Sequence, residues 1–343
     1  MDYTRDFYYG TKGADVRMFQ TNLMTLGYDL PKYGADGVYG KETEGATKKC
    51  CQDKHWDYCS WGIEGGKPPC PIWCQEHVHA AAHVKPEPGG WMPEGRGMWI
   101  QSMNTCSPEE AEVVTREVGL KFVIIQAHWQ YRDKGSTIYN WPDDLGLGLK
   151  KSYGCTTSAK RAIEKFRELG VQVLPFSYPV PNKHQEVIDA LAAYAEAWES
   201  PSVVIDPEAE WKSSSGKYKD EAVQLSNMLT AQFPSWGMSS YGAPWYHRSF
   251  PFAEFSTAVY GLPQTYGVTT FGTNEQMQRA HNEWLAYGFP YQVQLYGTYG
   301  KTDAEMRQIL TVCAAMDPFA TAGWKWGTTS DVEWGHIDAI LPE

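Results

Sequence analysis

From residue 97 onward, short apolar runs rich in Val, Ile, Tyr and Trp alternate with longer stretches in which apolar residues recur every three or four positions. The first kind reads as buried strands and the second as amphipathic helices. Strands are expected at Gly97–Met103, Phe122–Trp129, Val171–Tyr178, Ser202–Glu208, Gly237–Gly242, Ala258–Gly267, Tyr291–Gly297 and Ala322–Gly327. Helices are expected at Ser107–Gly119, Thr156–Gly170, Lys183–Ser200, Lys219–Phe233, Asn274–Gly288 and Asp303–Met316, with a short piece at Pro244–Phe252 and a closing one at Asp331–Ile340. Strict alternation implies parallel strands joined by right-handed crossovers. Residues 97–343 also match the length of about 250 residues usual for a (β/α)8 barrel. A doubly wound sheet is the competing architecture, but no Gly-rich phosphate loop follows the first strand. The fold class is therefore α/β: a TIM-like barrel preceded by a small α-helical domain.

That smaller domain, residues 1–79, has a different rhythm. Val16, Phe19, Leu23 and Leu26 recur at helical spacing, Asp15 is placed as an N-cap, and Gly27 ends the helix. Asp36-Gly37 and Gly40 mark turns, and Thr43 begins a second short helix. So few titratable or nucleophilic groups converge here that binding, not catalysis, is the expected role. The strings Gly13–Tyr28 and Asp36–Ala46 resemble the three-helix peptidoglycan-binding domain of bacteria. They carry its apolar-x-x-Leu-Gln type of first helix, Leu-Gly-Tyr end, Asp-Gly-x-aromatic-Gly loop and Thr-x-x-Ala helix, in order. The resemblance implies muropeptide contacts near Asp36, Gly37 and Tyr39. Cys50-Cys51 stands where the family has Phe-Gln, so a Cys-rich stretch is expected to replace or extend the usual last helix. Residues 80–96, rich in Pro and Gly, read as a linker.

Composition narrows the function. No apolar run approaches the roughly 18 residues of a membrane span, and the net charge of −11 disfavours nucleic acid. The first 90 residues hold 10 Lys and Arg against 12 Asp and Glu, so the excess acid sits in the large domain. Fifteen Trp and 21 Tyr suit sugar rings, whose C–H faces stack on aromatics, though packing of a large core accounts for many of them. Of eight cysteines, Cys50, Cys51, Cys59, Cys70 and Cys74 cluster, while Cys106, Cys155 and Cys313 are scattered. Disulfides, free thiols and a zinc knot involving His77, His79 and His83 all fit that cluster. The opening MDYTRDFYYG lacks a basic stretch followed by an apolar core, so no secretory signal peptide is expected.

The candidate chemistry lies on the fourth barrel strand, Ser202-Val-Val-Ile-Asp206-Pro-Glu208-Ala-Glu210-Trp211. Period-2 alternation puts Val204, Asp206, Glu208 and Glu210 on one face, with neighbouring carboxyls about 7 Å apart. In barrels of this kind chemistry sits where strands end. Close carboxyls raise one pKa, leaving an acid beside an anion, as glycosidic cleavage requires. Three solvated acids paired with Lys212 and its neighbours are the plainer reading. Other strand ends offer Gln126 and His128, Tyr178, Tyr241, Gln264 and Tyr266, Gln294 and Tyr296, and Trp324 and Trp326. Tyr241 and Gln294 are the preferred substrate contacts, and His128 offers a second acid/base, although a lone barrel histidine is usually structural.

Asp206-Pro-Glu208 after Val-Val-Ile resembles the fourth-strand signature of the glycoside hydrolase family 25 lysozymes. Gly323–Asp338 and Gly237–Gly242 are similar to that family's last and fifth strands. The resemblance implies Glu208 as general acid and Asp206 as the assisting carboxylate, with no metal or cofactor. The family's first-strand Asp is missing: Gln101 and Asn104 stand there, and Glu210 is the candidate replacement. The expectation is hydrolysis of the β-1,4 bond between N-acetylmuramic acid and N-acetylglucosamine. Bacterial peptidoglycan is the expected partner, and the protein is expected to be a monomer. Modular order and the missing signal resemble phage endolysins, made in the host cytoplasm and released to the wall by a separate membrane protein. A non-catalytic wall-binding protein, and a zinc peptidase or amidase built on the His77–His83 region, are the competing classes.

Overall fold

The computed structural model describes residues 6–53, 90–100, 106–131, 135–140, 151–154, 157–266, 274–289, 291–298, 301–316, 320–324, 326, 329 and 331–341. Gln101, Asn104, Cys59, Cys70, Cys74, His77, His79, His83, Cys155 and the linker up to residue 89 lie outside them. The chain forms two compact units, one of residues 1–87 with 285–290 and one of residues 88–284 with 291–343.

In the first unit, α1 (Ala14–Thr25) and α2 (Lys41–Asp53) pack around Phe7, Val16, Phe19, Leu23, Tyr28, Leu30, Tyr39, Ala46 and Cys50. Gln20, buried on α1, organises the loop between the helices. Its amide nitrogen donates to Asp36 Oδ1 at 2.9 Å, Val38 O at 3.1 Å and Thr43 Oγ1 at 2.9 Å, and its oxygen accepts from Gly37 N at 2.7 Å. Gly37 holds φ of +80° and is packed against Gly13 O, so both conformation and space call for glycine there.

The second unit is a closed barrel of eight parallel strands: β1 (Gly95–Ile100), β2 (Leu120–Tyr131), β5 (Gln172–Tyr178), β6 (Val203–Ile205), β7 (Trp236–Tyr241), β8 (Tyr260–Gln264), β9 (Val293–Gly297) and β10 (Ala320–Trp324). Pairing of β1 with both β10 and β2 closes it. Two further strands, β3 (Gly135–Asn140) and β4 (Lys151–Gly154), extend the sheet from the far end of β2, with β3 antiparallel to it. Helices α3 (Pro108–Val118), α4 (Thr157–Glu168), α5 (His184–Trp198), α6 (Lys219–Gln232), α7 (Asn274–Ala286), α8 (Asp303–Ala315) and α9 (Asp331–Ile340) fill the connections. Local signals set their ends. Ser107 caps α3 by accepting from Glu110 N, Pro108 opens it, and Gly119 closes it in the left-handed region. Thr302 and Glu305 make a reciprocal capping box on α8.

Inside the barrel lie Trp99, Phe122, Ile124, Leu174, Phe176, Val204, Tyr260, Leu262, Val293, Leu295, Ala320 and Ala322. Two glycines make room for large rings. A Cβ on Gly97 would stand 2.1 Å from Phe122 Cζ, and one on Gly237 2.1 Å from Tyr260 Cε2. Residues 90–94, expected in the linker, belong to this unit: Met92 is buried in the barrel core and Trp91 O accepts from Ser235 Oγ. At the same end Arg96 is buried and donates to Val118 O at 2.6 Å, Asp338 O at 2.9 Å and Leu341 O at 2.5 Å, with an ion pair to Asp338.

Candidate active site

Strand β6 contributes three residues before the chain leaves the sheet. Asp206 continues its inward face beyond Val204, anchored by a 2.8 Å bond from its backbone N to Ser177 O. Pro207 then turns the chain, held by Ser240 Oγ donating to its carbonyl at 2.7 Å, and Ala209–Trp211 coil into a 3-10 turn. Trp211 is the peg of that turn: fully buried, it donates from its indole to Pro179 O at 2.9 Å. Extended alternation therefore stops after Asp206. Glu210, inside that turn, leaves the row of Asp206 and Glu208.

Gln264, at the end of β8, defines the centre. Its amide nitrogen lies 2.8 Å from Asp206 Oδ1, 3.0 Å from Glu208 Oε1 and 3.2 Å from Ser239 Oγ. Because both carboxyl oxygens sit on one nitrogen, they lie within about 6 Å of each other. Glu210 instead accepts a 2.7 Å bond from the Tyr178 hydroxyl. Tyr241, inward-facing on β7, stacks on His247 with ring centroids 3.9 Å apart and carries Lys212 Nζ 3.8 Å from its ring centroid. Trp129 stacks on Tyr178 at 4.2 Å and 4°, and Trp324 lies between Trp99 and Tyr266. The half-exposed rings among these give the mouth an aromatic lining.

Burial dominates the electrostatics. It raises the pKa of Asp206, the neighbouring Glu208 raises it further, and hydrogen bonds from Ser239 and Gln264 oppose both. Glu208 is also raised, first by burial and then by Glu210, while Gln264 and Lys212 pull it down. Burial and the nearby carboxylates likewise keep Tyr178 and Tyr241 protonated. Two coupled carboxyls of raised pKa retain one shared proton at a pH where exposed acids are ionised. Such a pair can donate a proton and stabilise positive charge at adjacent positions.

The structure brings Asp206, Glu208, Glu210, Gln264, Tyr178 and Tyr241 to this end of the barrel and places other expected residues elsewhere. Val293 and Leu295 face inward, so Gln294 and Tyr296 face the helices, where the Gln294 amide donates to Thr265 Oγ1. Trp326 is packed edge-on against Phe166 and Trp334 in the helix layer, not the mouth. His128 is fully buried outside the barrel lumen with Nδ1 2.8 Å from Ser177 Oγ; a bulge after Gln126 reverses its facing. Burial and Lys183 push its pKa down to about 3, which makes it a neutral structural histidine. In the smaller unit the three residues expected near a muropeptide differ in exposure. Gly37 is buried, and the Tyr39 ring packs on Phe7 and Phe19 at 6.0 and 6.3 Å, because so small a core needs its aromatics inside. Asp36 remains on the surface, lining a groove of about 520 Å³ with Tyr9, Lys32, Tyr33, Lys41 and Glu42. Ser239 and Trp129 were not anticipated. Ser239 shares the inward face of Tyr241, a signal the sequence carries; the stacking of Trp129 depends on the unforeseen bulge. Among the described residues no three His, Cys, Asp or Glu side chains are grouped as a metal site needs.

No family model matches the sequence. Two proteins of Bacillus licheniformis share short stretches with it. A probable N-acetylmuramoyl-L-alanine amidase is 56% identical over 34 residues, 10% of this chain and 10% of its own length. The N-acetylmuramoyl-L-alanine amidase CwlL is 49% identical over 39 residues, 11% of each. The chain thus spans about a tenth of the length of the curated relatives it matches. Among solved structures, a class V chitinase from Pseudomonas fluorescens superposes with a TM-score of 0.52 at 10% identity, over 71% of this chain and 98% of that one. The Bacillus megaterium spore cortex-lytic enzyme SleL gives 0.51 at 8% identity, over 86% and 84%. A chitinase from Chromobacterium violaceum gives 0.50 at 9%, over 71% and 98%. At these identities the likeness is one of fold, the (β/α)8 barrel.

Proposed function

We propose that this chain is a glycoside hydrolase of the bacterial cell wall, cutting the β-1,4 bond between N-acetylmuramic acid and N-acetylglucosamine, with Glu208 as general acid and Asp206 as the assisting carboxylate. One observation carries the reading: Asp206 and Glu208 share the Gln264 amide at the end of barrel strands, where this architecture keeps its chemistry. Glu208 gives its proton to the glycosidic oxygen as the C1–O bond breaks. Asp206, anionic at that moment, supports the positive charge at C1, either directly or by orienting the substrate's N-acetyl group for internal attack. Water then adds at C1 and returns its proton to Glu208.

The chitinase and cortex-lytic names among the barrel's likenesses, and the amidase names among the short matches, support a wall glycan as the substrate class. Aromatic rings at the mouth suit stacking on sugar faces. The smaller unit serves as the wall-binding module, its contacts moved from Gly37 and Tyr39 to the groove beside Asp36, where Tyr9 and Tyr33 are more than half exposed.

Purified peptidoglycan is digested with wild-type protein and with Glu208→Gln, and the fragments are weighed by mass spectrometry. New reducing N-acetylmuramic ends from wild type alone are expected. Wild-type protein that binds wall and releases no sugar ends leaves the non-catalytic account standing, whereas new amino groups lost on chelation point to the zinc amidase class.

A further inference from the structure

The bonds of Gln264 run to the two carboxyls and to Ser239. A carboxamide nitrogen carries two hydrogens and only donates. Here it has two carboxyl oxygens at 2.8 and 3.0 Å, and a serine hydroxyl farther away at 3.2 Å, whose own hydrogen can rotate aside. Both hydrogens are therefore taken by Asp206 Oδ1 and Glu208 Oε1. An oxygen already accepting an N–H is a poor seat for an acid proton, so a proton on either group sits on the outer oxygen, Asp206 Oδ2 or Glu208 Oε2.

The backbone keeps Gln264 in place. A Cβ on Gly242 would lie 2.4 Å from Gln264 O, and one on Gly297 2.8 Å from Tyr266 O, so two bare backbones grip the segment from either side. Tyr266, two residues on, has a φ of +27°, a sparsely populated conformation for a side-chain-bearing residue. Such close packing fixes the amide against two carboxyls that must hold one proton between them.

We propose that Gln264 is a positioning residue: its amide clamps Asp206 and Glu208, directs the shared proton to their outer oxygens, and sets the pH range in which the pair holds one proton. The function of that proton rests on the glycosidase reading, but the clamp itself does not. Among the described residues, the other titratable groups facing the pair are Glu210 and Lys212 on the loop after β6, Tyr178 on β5, Tyr241 on β7 and Tyr266 after β8. All remain when Gln264 alone is changed.

The test is Gln264→Met, similar in length but without a donor, with Gln264→Asn as a second variant whose amide is too short to reach both oxygens. Carboxyl carbon NMR titration, assigned with Asp206→Asn and Glu208→Gln, reads the pair directly without needing activity. Donated hydrogen bonds favour the charged forms, so their loss should raise both midpoints by about half to one pH unit in Gln264→Met, and less in Gln264→Asn. Both limbs of the pH profile of kcat/KM on peptidoglycan should move alkaline by the same amount, with KM within twofold of wild type. Unmoved NMR midpoints in a folded Gln264→Met variant overturn the clamp, and so does a tenfold rise in KM with midpoints fixed, which would make Gln264 a plain substrate contact. Shifted midpoints in a protein that cuts no glycan would keep the clamp and sink the glycosidase reading instead.

Discussion

Tyr178 donates its phenolic hydrogen to Glu210 Oε2 across 2.7 Å, and that bond gives Glu210 a task other than replacing a missing acid. It braces the turn after β6 against the end of β5, and with it the loop that carries Glu208. Tyr178→Phe and Glu210→Gln should each lower kcat by about tenfold, and the double variant by little more than either, since a hydrogen bond to a charged group contributes about 1.5–3 kcal/mol and coupled partners do not add. Steady-state kinetics on the three variants measures the coupling; full additivity would mean that the two act independently.

Asp206 is costly to the fold in its charged form. Its pKa is raised by burial and by Glu208, so the stability linked to it is fully present below the unfolded carboxyl pKa of about 4 and is lost as pH rises through the folded value. Asp206→Asn should therefore abolish cleavage yet raise the melting temperature by a few degrees at pH 7 to 8, with the gain vanishing near pH 4. Calorimetry across that range decides it. A melting temperature below wild type at pH 7 would show that the anion is well accommodated.

His128 works in the opposite sense. Its folded pKa of about 3 lies below the unfolded value, so its contribution is present above about pH 6.5 and is lost as pH falls towards 3. Each pH unit inside that window costs about 1.4 kcal/mol. In urea melts at pH 7, 5 and 4, His128→Gln should lose less stability than wild type. Activity should survive the change at neutral pH, because the ring lies outside the lumen.

Gly97→Ala and Gly237→Ala test how tightly the lumen is filled. Neither glycine has a positive φ, so the penalty is one of space: each new methyl would meet an aromatic ring 2.1 Å away. A loss of about 1–3 kcal/mol or more is expected in chemical unfolding. Gly170→Ala is an informative comparison, since nothing lies within 4 Å of that site and only its φ of +78° opposes the change.

The order of elements was legible because each helix is amphipathic and each barrel strand is a compact apolar run between turn residues. Facing was much harder to read. Barrel strands are buried on both sides, so alternation cannot tell lumen from helix layer; that is why Gln294 and Tyr296 were expected in the mouth. The bulge after Gln126 moved His128 to the outer face, and bulges leave no mark in a pattern of apolar residues. Asp206 and Glu208 could be picked out from their place after Val203–Ile205, but the departure of Glu210 from their row could not, because Pro207 and the buried Trp211 end the strand early. Strands β3 and β4 escaped notice since they belong to an insertion and not to the repeating unit.

Arg96 joins the first barrel strand to Asp338 and Leu341 through four bonds and to Val118 through a fifth. Because the first strand pairs with the eighth, the barrel cannot close until that strand and the Arg96 bolt have both been made. Until then the nascent cylinder has two raw edges, each able to pair with a stranger. Closure is the single step that removes both edges at once.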